Sequence, residues 1–171
     1  ERAEANRKER QQEVAKECTE RFDKGHELVK EHKYLVSKKI KNIGLKVNNR
    51  NELLIPIRSI SGDIISLQTI SPTGTKKFAS CSKVKGGLFL INCDHNSFII
   101  PTAVSIAEAT DKPVAVVFAA PFAMEACTEL RKVTQAKLIM ALDNDSNGVG
   151  QKCANEVAQS IGNTVTRIPP E

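Results

Sequence analysis

The hydrophobic and polar positions of the chain begin with a helical pattern. Residues 1–31 are mostly charged helix formers without proline, and their apolar positions form a thin stripe of Val14, Cys18 and Phe22 at i+4 spacing. Such a pattern predicts one exposed helix that packs against the rest of the protein only along its second half. We interpret its first turns as the tail of a linker helix.

Short apolar runs replace the helical pattern in the next section. The runs at 53–58 and 64–70 are rich in Leu and Ile and flank Ser61-Gly62-Asp63, which is a hairpin signal. A lysine-rich loop at 76–85 then leads to a further strand at 88–91. We therefore predict a small antiparallel β module.

From residue 97 onward, strand-like runs alternate with helical patterns. Alternation at this spacing predicts a parallel sheet with helices on both faces. The predicted strands lie near 98–100, 114–118, 138–142 and 164–168, and the predicted helices lie near 102–110, 121–133 and 149–161.

The predicted fold class is therefore α/β. We expect a mainly parallel four-stranded sheet with helices on both faces, preceded by a small antiparallel β module and an N-terminal helix. The chain is expected to divide into a charged helix or linker at 1–31, a basic β-rich module at 32–92 and an α/β domain at 93–171.

Composition narrows the class of protein. The chain has 171 residues, of which 40% are hydrophobic, and no apolar run approaches the length of a membrane span. Its five cysteines are dispersed without a CxxC pair, which argues against a zinc site or a disulfide framework. We expect a cytoplasmic protein without a membrane partner and, because the chain does not begin with Met, a fragment of a longer one.

The net charge of +5 is unevenly distributed. Residues 33–89 carry 11 basic and 2 acidic side chains, whereas residues 90–171 carry 6 basic and 9 acidic ones. A basic section beside a carboxylate-bearing one suits a metal-dependent protein that binds nucleic acid, although a solvated surface is the open alternative. The candidate phosphate contacts are Arg58, Lys76, Lys77, Lys83 and Lys85, and the few candidate stacking platforms are Tyr34, Phe78 and Phe89.

Two carboxylates end the predicted strand at 138–142. Asp143 and Asp145 are two positions apart, so in an extended segment both would lean over the carboxyl end of the strand. Paired carboxylates suit Mg²⁺, which usually takes one or two of them together with waters and phosphates. The alternative is a polar strand-to-helix turn in which these residues cap the helix.

The order of these motifs resembles the Toprim domain of plasmid- and phage-type DNA primases, together with the β module that precedes it. The resemblance runs from about residue 26 to the C-terminus. It is carried by His32-Lys-Tyr-Leu35 with Lys39-Ile40, the runs at 53–58 and 62–70, Lys77-Phe78, Gly86-Gly87, the helix at 102–110, Ala141-Leu-Asp-Asn-Asp145 and Gly148.

The resemblance implies Asp143 and Asp145 as catalytic residues and Mg²⁺ ligands. It also implies a glutamate at the end of the first strand. In an ungapped alignment this chain has Phe98 there, and in a gapped one the Glu-Gly turn is deleted between Ile100 and Pro101. Glu108 lies about 10 Å farther along the helix and cannot replace it. The second strand ends in Phe118-Ala-Ala-Pro-Phe122 instead of the polar family motif. We therefore expect Mg²⁺ to bind weakly or not at all.

Two functions stay open. The first is a Toprim-containing, primase-like protein of plasmid or phage replication, with an impaired or lost catalytic site; whether it is still an enzyme is undecided. Its expected partners are single-stranded DNA, nucleotides and a replication or other protein. The second is a non-catalytic, Toprim-derived module that binds nucleic acid or protein. A Toprim nuclease ranks last, because it needs the same glutamate.

Overall fold

A computed structural model describes residues 2–28, 31–39, 46–91, 101–141 and 148–167. The helices are α1 (Arg2–Asp23), α2 (Lys33–Ser37), α3 (Pro101–Thr110), α4 (Ala123–Arg131) and α5 (Val149–Ser160), with a 3₁₀ turn at Ala120–Phe122. The strands are β1 (His26–Glu27), β2 (Lys46–Val47), β3 (Leu53–Arg58), β4 (Ile64–Ile70), β5 (Lys76–Phe78), β6 (Phe89–Ile91), β7 (Val114–Val116), β8 (Leu138–Ala141) and β9 (Thr164–Arg167).

The chain forms two compact units, Glu1–Val116 and Val117–Glu171. The first contains a five-stranded antiparallel sheet in the order β1-β2-β3-β4-β5. Its central hairpin joins β3 to β4 through Gly62, whose φ of +95° suits a residue without a side chain. The predicted hairpin and antiparallel β module are therefore confirmed.

Helix α1 packs on this sheet through the predicted apolar stripe. Val14 and Cys18 are buried against Ile64 and Leu67 of β4, and Phe22 packs at the edge of the cluster. Residues 2–10 of the helix are exposed. The prediction that only the second half of the helix packs is confirmed.

The helix ends earlier than the predicted residue 31. The reason is Gly25, where an added Cβ would lie 2.7 Å from Leu54 Cδ1 and 3.0 Å from the carbonyl oxygen of Phe22. That carbonyl accepts from the Gly25 amide at 3.1 Å and from Lys46 Nζ at 3.2 Å, which closes the helix end. The chain can therefore turn closely past the sheet and continue as β1.

The predicted loop at 76–85 begins with an edge strand. Lys76, Lys77 and Phe78 form β5, which pairs with β4, and all three side chains are exposed. An exposed edge strand has no apolar alternation, so the sequence pattern did not reveal it. Farther along, a Cβ at buried Gly87 would collide with Ile57, so this glycine serves close packing.

The pairing of β7 differs from the prediction. Strand β7 was expected in a parallel sheet, but it pairs antiparallel with β6 of the β module. The strand expected at 98–100 and the boundary expected at 92/93 lie outside the described residues. An apolar run predicts a strand but not its partner, and this is why the expected sheet differs.

The second unit is a small α/β layer. Strands β8 and β9 pair in parallel, and this is the one parallel pair among the described residues. Helices α4 and α5 bury Ala123, Cys127, Val157 and Ile161, with Met140 of β8 packed against them. The described chain is thus a mixed α/β fold with an N-terminal helix and an antiparallel sheet, and no described helix has the length and apolar character of a membrane span.

Candidate nucleic-acid interface

A lysine-bearing segment, residues 76–85, lines the edge of the five-stranded sheet. Lys76 lies opposite Ile70, Lys77 opposite Thr69 and Phe78 opposite Gln68 in the β4–β5 register. Lys83 and Lys85 follow in the loop to β6, and the side chains of all four lysines are exposed. The structure therefore places four of the five predicted phosphate contacts, the lysines, on one segment of the chain.

The lysine-bearing segment is fixed to the sheet by a chain of hydrogen bonds. The Ala79 amide donates to the Leu67 carbonyl at 2.9 Å, next to the end of β5. Ser82 Oγ donates to the Ala79 carbonyl at 2.7 Å and lies 2.6 Å from Ser66 Oγ on β4. Ser66 is fully buried, so the loop that carries Lys83 is tied to the interior of the sheet.

The positive charge of this segment is largely uncompensated. Within the described part of the chain, Lys76, Lys77 and Lys83 form no salt bridge. Exposed like charges along a short segment produce a field that attracts polyanions, and phosphate groups are the natural counter-charges.

Arg58 differs from the four lysines in its surroundings. Its Nη1 donates to the Gly62 carbonyl at 2.7 Å, and its guanidinium lies 5.9 Å from the centre of the Phe22 ring. Paired backbone hydrogen bonds join Arg58 to Leu88, just after the lysine-bearing segment. The side chain thus stabilises the β3–β4 hairpin, and the remaining guanidinium N–H groups are available for a phosphate.

Only one of the three predicted stacking aromatics is exposed. Tyr34 is 6% exposed and Phe89 is 3% exposed, so both belong to the core. Phe78 is 41% exposed and lies beside the lysines on β5. Phe78 is therefore the aromatic among these three that could stack on a base.

The predicted metal ligands, Asp143 and Asp145, lie outside the described residues, as does Phe98. The described flanks are β8, which ends at Ala141, and Gly148, which has a φ of +64° and precedes α5. The described part of the chain contains no group of three or more His, Cys, Asp or Glu side chains that could hold a metal ion. Because neither aspartate lies in the described part of the chain, the fit of this pair to Mg²⁺ stays a prediction.

A second basic cluster was not predicted from the sequence. Arg21, Lys24 and Arg50 surround a depression between the end of α1 and the β2–β3 turn. Arg21 and Lys24 alternate with Glu20 and Asp23 in the sequence, so no local excess of positive charge marks them. No local signal in the sequence joins them to Arg50, which lies 29 positions after Arg21.

Comparison with known proteins gives one solved structure. No protein-family profile and no curated protein sequence match the chain. The primase fragment of the bacteriophage T7 primase-helicase protein is similar in structure, with a TM-score of 0.61 and 17% sequence identity. The match covers 87% of this chain and 69% of that one. The chain therefore has a fold similar to that of a phage primase fragment.

Proposed function

We propose that this chain is a primase-like protein that binds nucleic acid in plasmid or phage replication. The observation that carries the proposal is the exposed, hydrogen-bonded segment with Lys76, Lys77, Lys83 and Lys85 at the edge of the sheet. The fold likeness to a phage primase fragment supports the same reading.

Single-stranded DNA is the proposed ligand. The lysines would contact successive phosphates, and Phe78 would stack on an unpaired base that a duplex does not offer. Arg58 would add a further phosphate contact at the end of the segment. Because most of the contacts are ionic, sequence preference should be small.

Asp143 and Asp145 would be the catalytic carboxylates and would bind Mg²⁺, and nucleotides would be a further partner. The sequence offers Phe98, not a glutamate, as the third member of the site. Phosphoryl transfer depends on charge stabilisation, so we propose that nucleotide transfer is lost or strongly reduced.

The binding proposal is tested by measuring the affinity for an oligodeoxythymidylate over a range of salt concentrations. Changing Lys76, Lys77, Lys83 and Lys85 to Ala should weaken binding and reduce the log–log salt slope by about 0.7 per lost contact on a single strand. The matched control changes Arg2, Arg7, Lys8 and Lys16 of the exposed face of α1 to Ala, with the same loss of charge. An equal effect in both variants would show that only net charge matters and would refute a specific interface.

The catalytic part has its own test. Mg²⁺-dependent incorporation of labelled ribonucleotides on single-stranded DNA should be undetectable, or lower by roughly 10²–10³ than for an intact site. Robust incorporation that Asp143→Asn abolishes would overturn the impaired-site proposal. A weak residual incorporation that Asp143→Asn removes would distinguish an impaired primase site from the non-catalytic module, which would bind DNA without any incorporation.

A further inference from the structure

The second basic cluster forms a small concave site in the first unit. The depression has a volume of ≈ 240 Å³ and is lined by Arg21, Lys24, Asn49 and Arg50, with Leu54 at its base. Leu54 is buried, and Gly25 packs closely against it in the wall of the depression, since an added Cβ would lie 2.7 Å from Leu54 Cδ1. The site is separate from the lysine-bearing segment in sequence and lies on other strands of the sheet.

The two arginines of this site have unused hydrogen-bond donors. Within the described residues, neither the Arg21 nor the Arg50 guanidinium forms a hydrogen bond or a salt bridge. Lys24 Nζ lies 3.5 Å from Glu20, in a pair that is exposed on both sides. Two free guanidinium groups can each present a pair of N–H donors to one oxyanion.

Hydrogen bonds fix the shape of the turn that carries Arg50. Asn48 Oδ1 accepts from the amides of Arg50 and Glu52, each at 3.0 Å, and Asn51 has a φ of +55°. Asn48 Nδ2 donates to Glu52 Oε2 at 2.7 Å, so this carboxylate is occupied within the turn. Arg50 is therefore held at the rim by backbone geometry and not by its own side chain.

Asn49 contributes neutral donors. Its Oδ1 lies 3.0 Å from His26 Nε2, and because a carbonyl oxygen can only accept, the histidine is the donor. The Asn49 amide N–H groups then have no partner in the described part of the chain. Guanidinium groups combined with amide N–H donors are suited to recognise a phosphate group.

We propose that this depression binds a phosphate group, carried either by a nucleotide or by a nucleic-acid strand. Its volume is below the roughly 300–1,000 Å³ of pockets that enclose drug-sized ligands, so it takes the phosphate and leaves the nucleoside outside. The assignment of the phosphate to nucleic acid rests on the proposed function. Binding of an inorganic phosphate compound would not depend on the proposed function.

The test uses the full chain and inorganic pyrophosphate. Titration followed by amide NMR should give saturable shifts centred on Gly25, Asn49 and Arg50. The double variant Arg21→Gln/Arg50→Gln should weaken the pyrophosphate affinity by at least about tenfold, since it removes both guanidinium forks. The matched control, Arg2→Gln/Arg7→Gln, has the same net charge and should change the affinity less than about twofold.

Three further titrations identify the source of the phosphate. ATP, a 5′-phosphorylated oligodeoxythymidylate and its unphosphorylated form are compared on the same amides. Preference for ATP assigns a nucleotide, preference for the phosphorylated end assigns a strand terminus, and equal binding of both oligonucleotides assigns the backbone.

The variant that lacks Lys76, Lys77, Lys83 and Lys85 should still bind pyrophosphate, even if it no longer binds DNA. Absence of saturable shifts with pyrophosphate, or equal affinity in the double variant and its control, would overturn the site.

Discussion

The hydroxyl groups of Ser66 and Ser82 lie 2.6 Å apart, and Ser66 is the donor of the pair. The direction follows from the next bond, because Ser82 uses its only hydroxyl hydrogen to donate to the Ala79 carbonyl at 2.7 Å. A hydroxyl group on β4 thus donates a hydrogen bond to the loop that carries Lys83. The position of the candidate interface is set by a side chain on β4 and not by the lysines themselves.

We predict that Ser66→Ala lowers the free energy of unfolding by about 0.5–1.5 kcal/mol, because it removes a buried hydrogen-bond donor. Urea unfolding measures the change. Ser80→Ala is the matched control, since Ser80 lies in the same loop with an exposed side chain and should cost less than about 0.5 kcal/mol. A loss of the same size in both variants would contradict the anchoring role of Ser66.

Phe78→Ala should weaken binding of single-stranded DNA on the order of tenfold, the usual effect of losing one stacked base. The slope of affinity against salt should stay the same, because no charge is removed. Fluorescence anisotropy measures both quantities. Phe78→Tyr keeps a stacking ring and should bind like the original chain; if it binds as weakly as the alanine variant, Phe78 has no stacking role.

In the second unit, Arg131→Lys should be destabilising although it keeps the charge. Arg131 donates to four carbonyls, those of Thr134, Ala136, Gly162 and Asn163, at 2.7–3.1 Å. A lysine has one compact ammonium group and cannot reach all four, so we expect a loss of about 1–2 kcal/mol. Thermal unfolding checks this value. Lys152→Gln, on the exposed side of α5, should leave the unfolding temperature nearly unchanged.

Thiol reactivity should follow burial. Burial raises the pKa of the Cys127 thiol above its ordinary value of 9.0, and Arg131 offsets only part of the rise. Burial likewise raises the pKa of Cys18, whereas the thiol of Cys81 is exposed. Iodoacetamide at neutral pH, followed by peptide mass mapping, should therefore modify Cys81 well before Cys18 and Cys127. Faster modification of Cys127 than of Cys81 would contradict the packing of α4.

The same shift gives a pH dependence of stability. Because the folded pKa of Cys127 is raised, the unfolded chain loses this proton first as the pH increases. The contribution of Cys127 is fully present below the unfolded pKa and is lost as the pH rises towards the folded one. The original chain should therefore lose more stability between about pH 8 and pH 10 than Cys127→Ala does. Parallel pH profiles for the two chains would count against this coupling.

The sequence predicts those parts of the fold that depend on local pattern. Strands β3 and β4 are clear because their apolar runs meet at a glycine turn, and the α1 stripe is clear because every fourth residue is apolar. The partner of β7 could not be predicted, because strand pairing depends on distant residues. The edge strand β5 could not be predicted, because an exposed strand has no apolar period.

The sequence also predicted only some features of the candidate interface. The exposure of the lysines follows from their charge, whereas the burial of Tyr34 and Phe89 does not follow from their chemistry. Tyr34 packs against Gly74, whose missing side chain makes room for the ring. The Arg21–Arg50 cluster joins residues 29 positions apart in the chain, so no local count of charge could have joined them.

Because the first turns of α1 are exposed, a force applied to them would rotate the helix about its contact with the sheet. Arg2 lies about 18 Å from Val14 along the axis, at a rise of 1.5 Å per residue. Val14 and Cys18 form that contact, because they are buried against β4. A tilt of ten degrees at that contact would move Arg2 by about 3 Å. A force on the first three turns would therefore reach the sheet, and the loop that Ser66 anchors, through two small side chains.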